Sequence, residues 1–344
     1  MYLGREYDFF ALVNCITYNH APFIEQTMDG FCAQKTSFPY LCVIMDDASI
    51  DGEQDVIKGY LNSHFDLDKD RGAKTLVTDD YVMTFARHSS NKNCFFAVFL
   101  LKYNHYRKKK DKMQYIVEWL SGIKYIALCE GDDYWTDENK LDNQVRFLEE
   151  HTEYVFVYTN ITVVDRNSKK VFVNHPNRYS GDCLKSLLIK GTYINTATVC
   201  YRSEADKDWL HYRSTIPFEI RMGDKVHFIY LAKVGLFKYM DKKTACYRLL
   251  ENSASHFVDY KKAFEFVDNG EQLSLYLNKD LDIGVSEHVI KRNYAANRIR
   301  TALRYRDADY LVIAQKNISR YPSLLLRPKL MSLLFLRLFG GIVR

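Results

Sequence analysis

The chain has 344 residues, with 48 Lys and Arg against 43 Asp and Glu, so its formal net charge is only +5. Because 47% of the residues are hydrophobic, the chain can bury a large core, which excludes global disorder. The small net charge does not indicate a nucleic-acid partner, and we expect none.

In the first half of the chain, short apolar runs alternate with segments of helical periodicity. The predicted strands are Phe9–Ile16, Tyr40–Met45, Thr75–Val77, Tyr125–Cys129 and Tyr154–Tyr158. Helices are predicted from Pro22, around Val56–Leu61, within Phe95–Trp119 and at Leu141–Leu148. This alternation predicts an α/β fold with a mainly parallel sheet and helices on both faces.

The second half has a looser pattern. Thr196–Tyr201 and Phe237–Met240 are predicted strands, with a helix at Lys225–Lys233 between them, and the chain is predicted to be helical from Phe257. We expect an α/β domain over residues 1–255 and a helical C-terminal region over residues 256–344.

The cysteines and the apolar runs indicate the cellular setting. None of the eight cysteines has C-x-x-C spacing, no secretory signal pattern opens the sequence, and no apolar run has the length of a membrane-spanning helix. We therefore expect a cytoplasmic globular protein whose cysteines stay reduced.

Polar and acidic segments follow three of the predicted strands: TYNH (17–20), DDAS (46–49) and EGDDYW (130–135). Because ligands of parallel α/β sheets bind at the carboxyl ends of the strands, these segments are candidates for a nucleotide site. The carboxylates of EGDDYW are suited to hold Mg²⁺ or Mn²⁺ and leave coordination positions open for diphosphate oxygens. The alternative is a solvated acidic turn that caps the following helix.

Three separated segments have an order, a spacing and a strand context in common with one enzyme family. They are VNCITYNHAPFIEQTMDGFCAQKTSFPYLCVIMDDASIDG (13–52), GIKYIALCEGDDYWTDENKLDNQVRFLEEH (122–151) and GDKVHFIYLAKVGLFKYMDKKTACYR (223–248). Together they resemble the family 2 glycosyltransferases, the bacterial nucleotide-sugar enzymes of the GT-A fold. The resemblance extends over residues 8–255 and implies a GT-A domain, followed here by a C-terminal helical extension.

The resemblance implies a donor site. Thr17, Tyr18 and Asn19 match the loop that contacts the nucleotide, and Asp47 matches the residue that reads the uracil edge in enzymes that use uridine diphosphate. A carboxylate that accepts an imide N–H is suited to a pyrimidine base. The implied donor is a nucleoside-diphosphate sugar, with UDP-sugar favoured.

The resemblance also implies a metal on the diphosphate. Glu130 and Asp132 stand where the family has its D-x-D motif, so Mn²⁺ or Mg²⁺ is expected, with Asp132 and Asp133 as the main ligands. Two departures stand out: Glu130 replaces the first Asp, and Leu250 replaces a His that helps at the metal and diphosphate in many relatives. His256 is a candidate replacement for that His.

Asp224 matches the late carboxylate that is the general base in inverting members of the family. It would take the proton of an acceptor hydroxyl, which attacks the anomeric carbon opposite the leaving nucleoside diphosphate. The implied activity is inverting transfer of a hexosyl or N-acetylhexosaminyl group to a surface glycan or a lipid-linked saccharide. The structural alternative for Asp224 is a helix cap.

Acceptor residues are harder to identify from the sequence. Trp135 and Thr196 lie in segments that would face the acceptor in relatives, and the Trp135 ring is suited to stack on a sugar, although core packing explains that residue equally well. Of the ten histidines, His20 and His256 are the two that we expect near the site.

Two other functions are compatible with such a fold. A sugar nucleotidyltransferase would need a Gly-rich, Arg-containing loop after the first strand, and TYNHAPF has no Gly, which disfavours it. A catalytically inactive relative that binds nucleotide-sugar or glycan as an assembly partner stays open because of the departures at Glu130 and Leu250.

The C-terminal segment, residues 316–344, has six basic residues, no acidic residue and many leucines. This composition suits a helix in a membrane interface, which would make the protein peripheral on the cytoplasmic face of the inner membrane. The alternative is an amphipathic helix packed on the protein itself or on a second subunit. Pro322 and Pro328 argue against a single long helix.

Overall fold

The structure is a computed structural model, and it describes residues 8–172, 180–190, 194–250, 259–305 and 309–339. The chain divides into two compact units. The first unit contains the described residues up to Gly181 together with Ile194–Leu210 and Val234–Leu249. The second unit contains residues 182–190, His211–Lys233, Leu250 and the described residues from 259 onward.

Strands and helices alternate through the N-terminal half. The elements are β1 (Ala11–Thr17), α1 (Ile24–Cys32), β2 (Tyr40–Asp46), α2 (Glu53–His64), β3 (Phe65–Asp66), β4 (Lys74–Val77), β5 (Tyr81–His88), β6 (Cys94–Leu101), β7 (Tyr125–Leu128), β8 (Tyr134–Trp135) and α3 (Lys140–Glu150). The five strands predicted for this half are confirmed, the last of them as the start of β9.

The C-terminal half begins with strands and ends in helices. The elements are β9 (Tyr154–Val164), β10 (Lys170–Phe172), α4 (Leu184–Lys190), β11 (Val199–Arg202), α5 (Trp209–Thr215), α6 (Gly223–Val234), β12 (Leu236–Arg248), α7 (Tyr260–Asp280), α8 (Glu287–Arg304), α9 (Tyr310–Arg320) and α10 (Pro328–Phe339). From residue 259 onward the described residues contain helices and no strand, as the sequence predicts.

The described strands form one mixed sheet with the order β3-β5-β6-β2-β1-β7-β11-β9-β12-β8, to which β4 and β10 add at β5 and β9. Its centre is parallel, since β6, β2, β1 and β7 all run in the same direction. Every residue of β2 and of β6 is buried. These continuous apolar strands place the core around the parallel centre, and antiparallel strands extend the sheet on both sides.

The predicted helix within Phe95–Trp119 is wrong. The first part of this region is β6, which pairs with β2 and β5, and the last part has only short 3₁₀ turns at Met113–Tyr115 and Val117–Trp119. A continuous apolar run such as CFFAVFLL fits a buried helix or a central strand equally well. The segment is a strand because it pairs with β2 and β5, and these long-range partners are not visible in the local sequence.

The C-terminal segment is divided at its prolines, as predicted. Pro322 opens a 3₁₀ turn and Pro328 opens α10. Leu324, Leu330 and Leu334 are buried in one cluster with alanines of α8, so one side of the segment packs on its own unit. Among the described helices, none has both the length and the apolarity that crossing a membrane requires.

Candidate functional site

The loops after β1, β2 and β7 leave the sheet side by side. β1 lies between β2 and β7 and runs parallel to both, with Thr17 opposite Asp46 and Asn14 opposite Leu128. The TYNH, DDAS and EGDDYW segments therefore meet at the carboxyl edge of the sheet, where parallel α/β sheets bind their ligands.

A buried carboxylate, Glu53 in the first turn of α2, joins the first two of these loops. It accepts hydrogen bonds from the Thr17 hydroxyl, from the backbone N–H of His20 (2.8 Å) and from the Ser49 hydroxyl (2.8 Å). Burial raises the pKa of Glu53, and these three donors oppose the rise. Glu53 is not among the site residues predicted from sequence, although an acidic residue that opens a helix after a polar loop is a usable signal.

The TYNH loop has a defined shape. Asn19 adopts a left-handed backbone, with φ of 59°, which asparagine tolerates better than most residues. The side-chain oxygen of Asn19 accepts the backbone N–H of Ile50 at 2.9 Å. His20 turns inward, and its Nδ1 lies 3.1 Å from the Thr17 hydroxyl. Tyr18 is half-buried at the same turn.

Gly131 allows the EGDDYW loop to approach the end of β1 closely. Its backbone N–H donates to the carbonyl of Ile16 at 3.2 Å. A Cβ atom at position 131 would lie 2.0 Å from the Thr17 hydroxyl oxygen and 2.4 Å from the Thr17 Cβ. Only glycine fits between the two loops, so the residue between Glu130 and Asp132 is dictated by packing.

Thr27 and Arg248 hold the EGDDYW loop from the other side. The Thr27 hydroxyl, on the buried face of α1, lies 2.6 Å from the carbonyl oxygen of Asp133. Arg248, at the end of β12, donates from its backbone N–H to the Asp133 carboxylate (2.8 Å) and from Nε to the Asp132 carbonyl (2.9 Å). Neither residue is predicted from sequence. Thr27 could have been noticed as a polar residue on an apolar helix face, whereas the burial of Arg248 is visible only in the structure.

The three acidic side chains of the loop have different environments. Glu130 accepts the Thr196 hydroxyl at 2.5 Å, which brings two of the predicted site residues together. Asp132 is 15% exposed, and its Oδ2 lies 3.8 Å from His20 Nε2. Asp133 is 2% exposed, and burial, then repulsion from Asp132 and Glu130, raises its pKa well above the usual range of aspartate. Asp132 is therefore the more accessible of the two predicted metal ligands.

The donor atoms present suit a divalent cation that is shared with a ligand. Within the part of the chain that the structure describes, no group of three or more His, Cys, Asp and Glu side chains is arranged so that it could hold a metal ion. Mg²⁺ in nucleotide-using sites binds one or two protein carboxylates and completes its shell with phosphate oxygens and water. The Asp132 carboxylate, the more accessible of the two predicted ligands, fits the part of the protein ligand in that kind of shared site.

Asp47 is engaged by a neighbouring segment. Its carboxylate is buried and accepts the backbone N–H of His105 (2.6 Å), the backbone N–H of Tyr106 (3.2 Å) and the Lys112 ammonium (2.7 Å). Its role as the reader of a uracil edge stays a prediction. A base N–H would have to use a remaining lone pair of this carboxylate or displace one of these donors.

Trp135 has the contacts of a core residue. It is 4% exposed, its indole N–H donates to the carbonyl of Ala197 at 2.9 Å, and its ring meets Phe31 edge-on at 5.0 Å. The predicted stacking of an acceptor sugar on this ring is corrected accordingly, because stacking requires an exposed ring face. Thr196, the other predicted acceptor residue, is directed to the Glu130 carboxylate instead of standing free.

Asp224 is the second residue of α6 and belongs to the second unit. Its side chain is exposed, yet desolvation by surrounding protein atoms raises its pKa, against the lowering effects of the Lys225 N–H and positive charge. Lys225 itself is buried and donates to the Ser274 hydroxyl at 2.6 Å, so the start of α6 is anchored to α7. Leu250 is half-buried, and His256 lies outside the described residues.

Comparison with known proteins finds sequence relatives and structural neighbours of this chain. No family model matches the chain. The uncharacterized proteins Rv1520 of Mycobacterium tuberculosis and Mb1547 of Mycobacterium bovis are 27% identical over 274 residues, which is 79% of this chain and 68% of each relative.

Among solved structures, S. aureus TarS matches 85% of this chain with a TM-score of 0.50 and 14% identity, and this chain spans only 43% of TarS. The mannosyltransferase PcManGT from Pyrobaculum calidifontis, solved with GDP-Man and Mn²⁺, matches 99% of this chain and 92% of its own with a TM-score of 0.48 and 13% identity. The likeness to TarS shows a shared α/β fold, and this fold resembles that of solved glycosyltransferases.

Proposed function

We propose that this protein transfers a sugar from a nucleoside-diphosphate donor, UDP-sugar being favoured, to a hydroxyl of a surface-glycan or lipid-linked saccharide acceptor. One observation carries the proposal. Gly131 locks the EGDDYW loop against the end of β1, and this contact sets the accessible Asp132 carboxylate beside His20 at the carboxyl edge of the sheet. A glycosyltransferase fold with acidic and imidazole groups at that edge supports binding of a metal and a diphosphate.

Asp132 would be the protein ligand of Mn²⁺ or Mg²⁺, with diphosphate oxygens and water filling the other coordination positions. When bound, such an ion offsets the negative charge that develops on a departing diphosphate. His20 and Asp132 are held in position by the protein itself, because Glu53 accepts a hydrogen bond from the backbone N–H of His20 and Arg248 donates one to the carbonyl of Asp132. Preorganised groups need little reorganisation when the charge develops, and this favours the transition state.

Asp224 is proposed as the general base. It accepts the proton of the acceptor hydroxyl while the hydroxyl oxygen forms a bond to the anomeric carbon. The bond from that carbon to the diphosphate oxygen breaks at the same time, and the electron pair leaves with the nucleoside diphosphate. Attack from the opposite face inverts the anomeric configuration. The exposure of Asp224 and its match to the family's base support this role.

The first test is nucleotide binding. UDP, GDP, dTDP and CDP would be titrated into the protein with Mn²⁺ and with a chelator, for the wild type, Asp132→Asn and Asp79→Asn, an exposed carboxylate used as the matched control. We expect UDP binding that needs the metal and falls at least tenfold in Asp132→Asn only. The proposed donor site would be contradicted if all three proteins bound UDP equally well, or if the wild type bound none of the four nucleotides.

The second test separates the base from the donor site. Asp224→Asn should bind UDP and Mn²⁺ as the wild type does and lose at least 100-fold in transfer, which is the lower end of a general-base contribution. Asp208→Asn, another exposed aspartate, should transfer normally. Normal transfer by Asp224→Asn would remove Asp224 from the mechanism. Nucleotide binding without transfer by the wild type would favour the inactive assembly partner.

A further inference from the structure

Three arginines meet in the second unit. Arg292 and Arg300 stand two turns apart on α8, and Arg327 follows the 3₁₀ turn that precedes α10. The Arg327 guanidinium donates to the side-chain oxygen of Asn293 at 2.8 Å, which sets it beside Arg292. Ala296, midway between Arg292 and Arg300, is buried in a hydrophobic group that also contains Leu324 and Leu330, which stand before and after Arg327 in the chain. We call these three side chains the arginine cluster.

The arginine cluster has no counter-charge among the residues that the structure describes. Arg292 Nε is buried and has no hydrogen-bond partner there, and Arg300 donates only to Asn297, at 2.9 Å. Burial, then repulsion from Arg292 and Arg300, lowers the pKa of Arg327. By contrast, Arg298 on the same helix is paired with two carboxylates, Asp268 at 2.7 Å and Glu271. Unpaired guanidinium groups at close range are stabilised by an anion.

Apolar residues are exposed next to this positive charge. Leu325 and Leu326 directly precede Arg327 and are 51% and 82% exposed. The whole segment 316–344 contains no acidic residue. Basic side chains with neighbouring exposed leucines are typical of protein surfaces that enter the interface of an anionic membrane.

We propose that the arginine cluster binds the phosphate group of an anionic lipid, and that Leu325 and Leu326 enter the membrane interface beside it. Guanidinium groups suit this ligand, because their N–H pairs bind phosphate oxygens bidentately. A soluble phosphate would use the same guanidinium groups and would leave the leucines exposed to water, which is why the lipid is the favoured source. The proposal concerns attachment and does not depend on sugar transfer.

The test is flotation of the full-length protein with vesicles at physiological ionic strength. One set of vesicles is phosphatidylcholine, and the other is equimolar phosphatidylcholine and phosphatidylglycerol. The cluster variant combines Arg292→Gln, Arg300→Gln and Arg327→Gln. The control variant combines Lys261→Gln, Lys262→Gln and Arg213→Gln, three exposed basic residues of the same unit, so that both variants lose the same charge.

We expect binding to the anionic vesicles only. The cluster variant should lose about 100-fold in affinity, since each basic residue at an anionic surface contributes roughly a factor of five. The control variant should lose a few-fold at most. A second variant, Leu325→Ser with Leu326→Ser, changes only exposed side chains and should weaken vesicle binding while leaving the melting temperature unchanged.

Three results would overturn the proposal. The first is equal binding to neutral and anionic vesicles, and the second is an equal loss of vesicle affinity in the cluster variant and the control variant. The third is competition by millimolar inorganic phosphate while the leucine variant binds vesicles as the wild type does. The last result would assign the cluster to a soluble phosphate. Because the readout is flotation, failure here is distinguishable from failure of UDP binding or of transfer.

Discussion

Replacing Gly131 by alanine tests how the two central loops of the site depend on each other. The added Cβ would lie 2.0 Å from the Thr17 hydroxyl oxygen, and ordinary contact begins at 3.4 Å, so the loops must separate by about 1.4 Å. Thr17 cannot yield by rotating, because its own Cβ would also be only 2.4 Å away. Overpacking of this kind lowers the free energy of unfolding by about 1–3 kcal/mol.

The functional loss should exceed the loss of stability. Asp132 and His20 lie on the two loops that are forced apart, and a displacement of about 1 Å at a reacting centre costs on the order of 100-fold in rate. We therefore expect Gly131→Ala to remain folded, to bind UDP with Mn²⁺ at least tenfold more weakly and to transfer at least 100-fold more slowly. Urea unfolding, nucleotide titration and a transfer assay measure the three effects.

Gly59→Ala is the matched control for this prediction. Gly59 lies in the exposed part of α2, and an added Cβ there meets no atom within 4 Å. That substitution should be neutral or stabilise the protein by up to about 1 kcal/mol, because alanine favours helix over glycine. If Gly131→Ala were as stable and as active as Gly59→Ala, the close approach of the two loops would not exist in solution.

Two further predictions concern the residues around the EGDDYW loop. The raised pKa of Asp133 contributes stability that is fully present below the pKa of an unfolded aspartate, about 3.9, and is lost as the pH rises through the folded pKa. Asp133→Asn, in the presence of a chelator, should therefore gain stability relative to the wild type between pH 5 and pH 8 in urea unfolding; a constant difference would show that the Asp133 pKa is not raised. Arg248→Lys cannot keep the hydrogen bonds to the Asp132 carbonyl, to Ser168 and to Gln26 together, so it should lower the free energy of unfolding by about 2–4 kcal/mol and weaken UDP binding. Retention of both properties by Arg248→Lys would mean that the positive charge matters and the shape of the guanidinium group does not.

The alternation of strands and helices, and the edge of the sheet where the site lies, can be read from the amino-acid sequence alone. Long apolar runs followed by polar turns are local signals, and they located β1, β2 and β7 and the three segments that follow them. The continuous run in β6 was misread, because burial on both faces removes the alternation that marks a strand.

Long-range contacts determine which polar side chains can reach a ligand and which are held in the interior. Asp132 and Asp133 are adjacent in the sequence, yet the backbone N–H of Arg248, more than a hundred residues away, holds Asp133 in the interior and leaves Asp132 accessible. Trp135 became a core residue for the same kind of reason, since its neighbours come from α1 and from the turn before β11. Burial and hydrogen-bond partners arise from long-range contacts, and a local pattern of residues does not encode them.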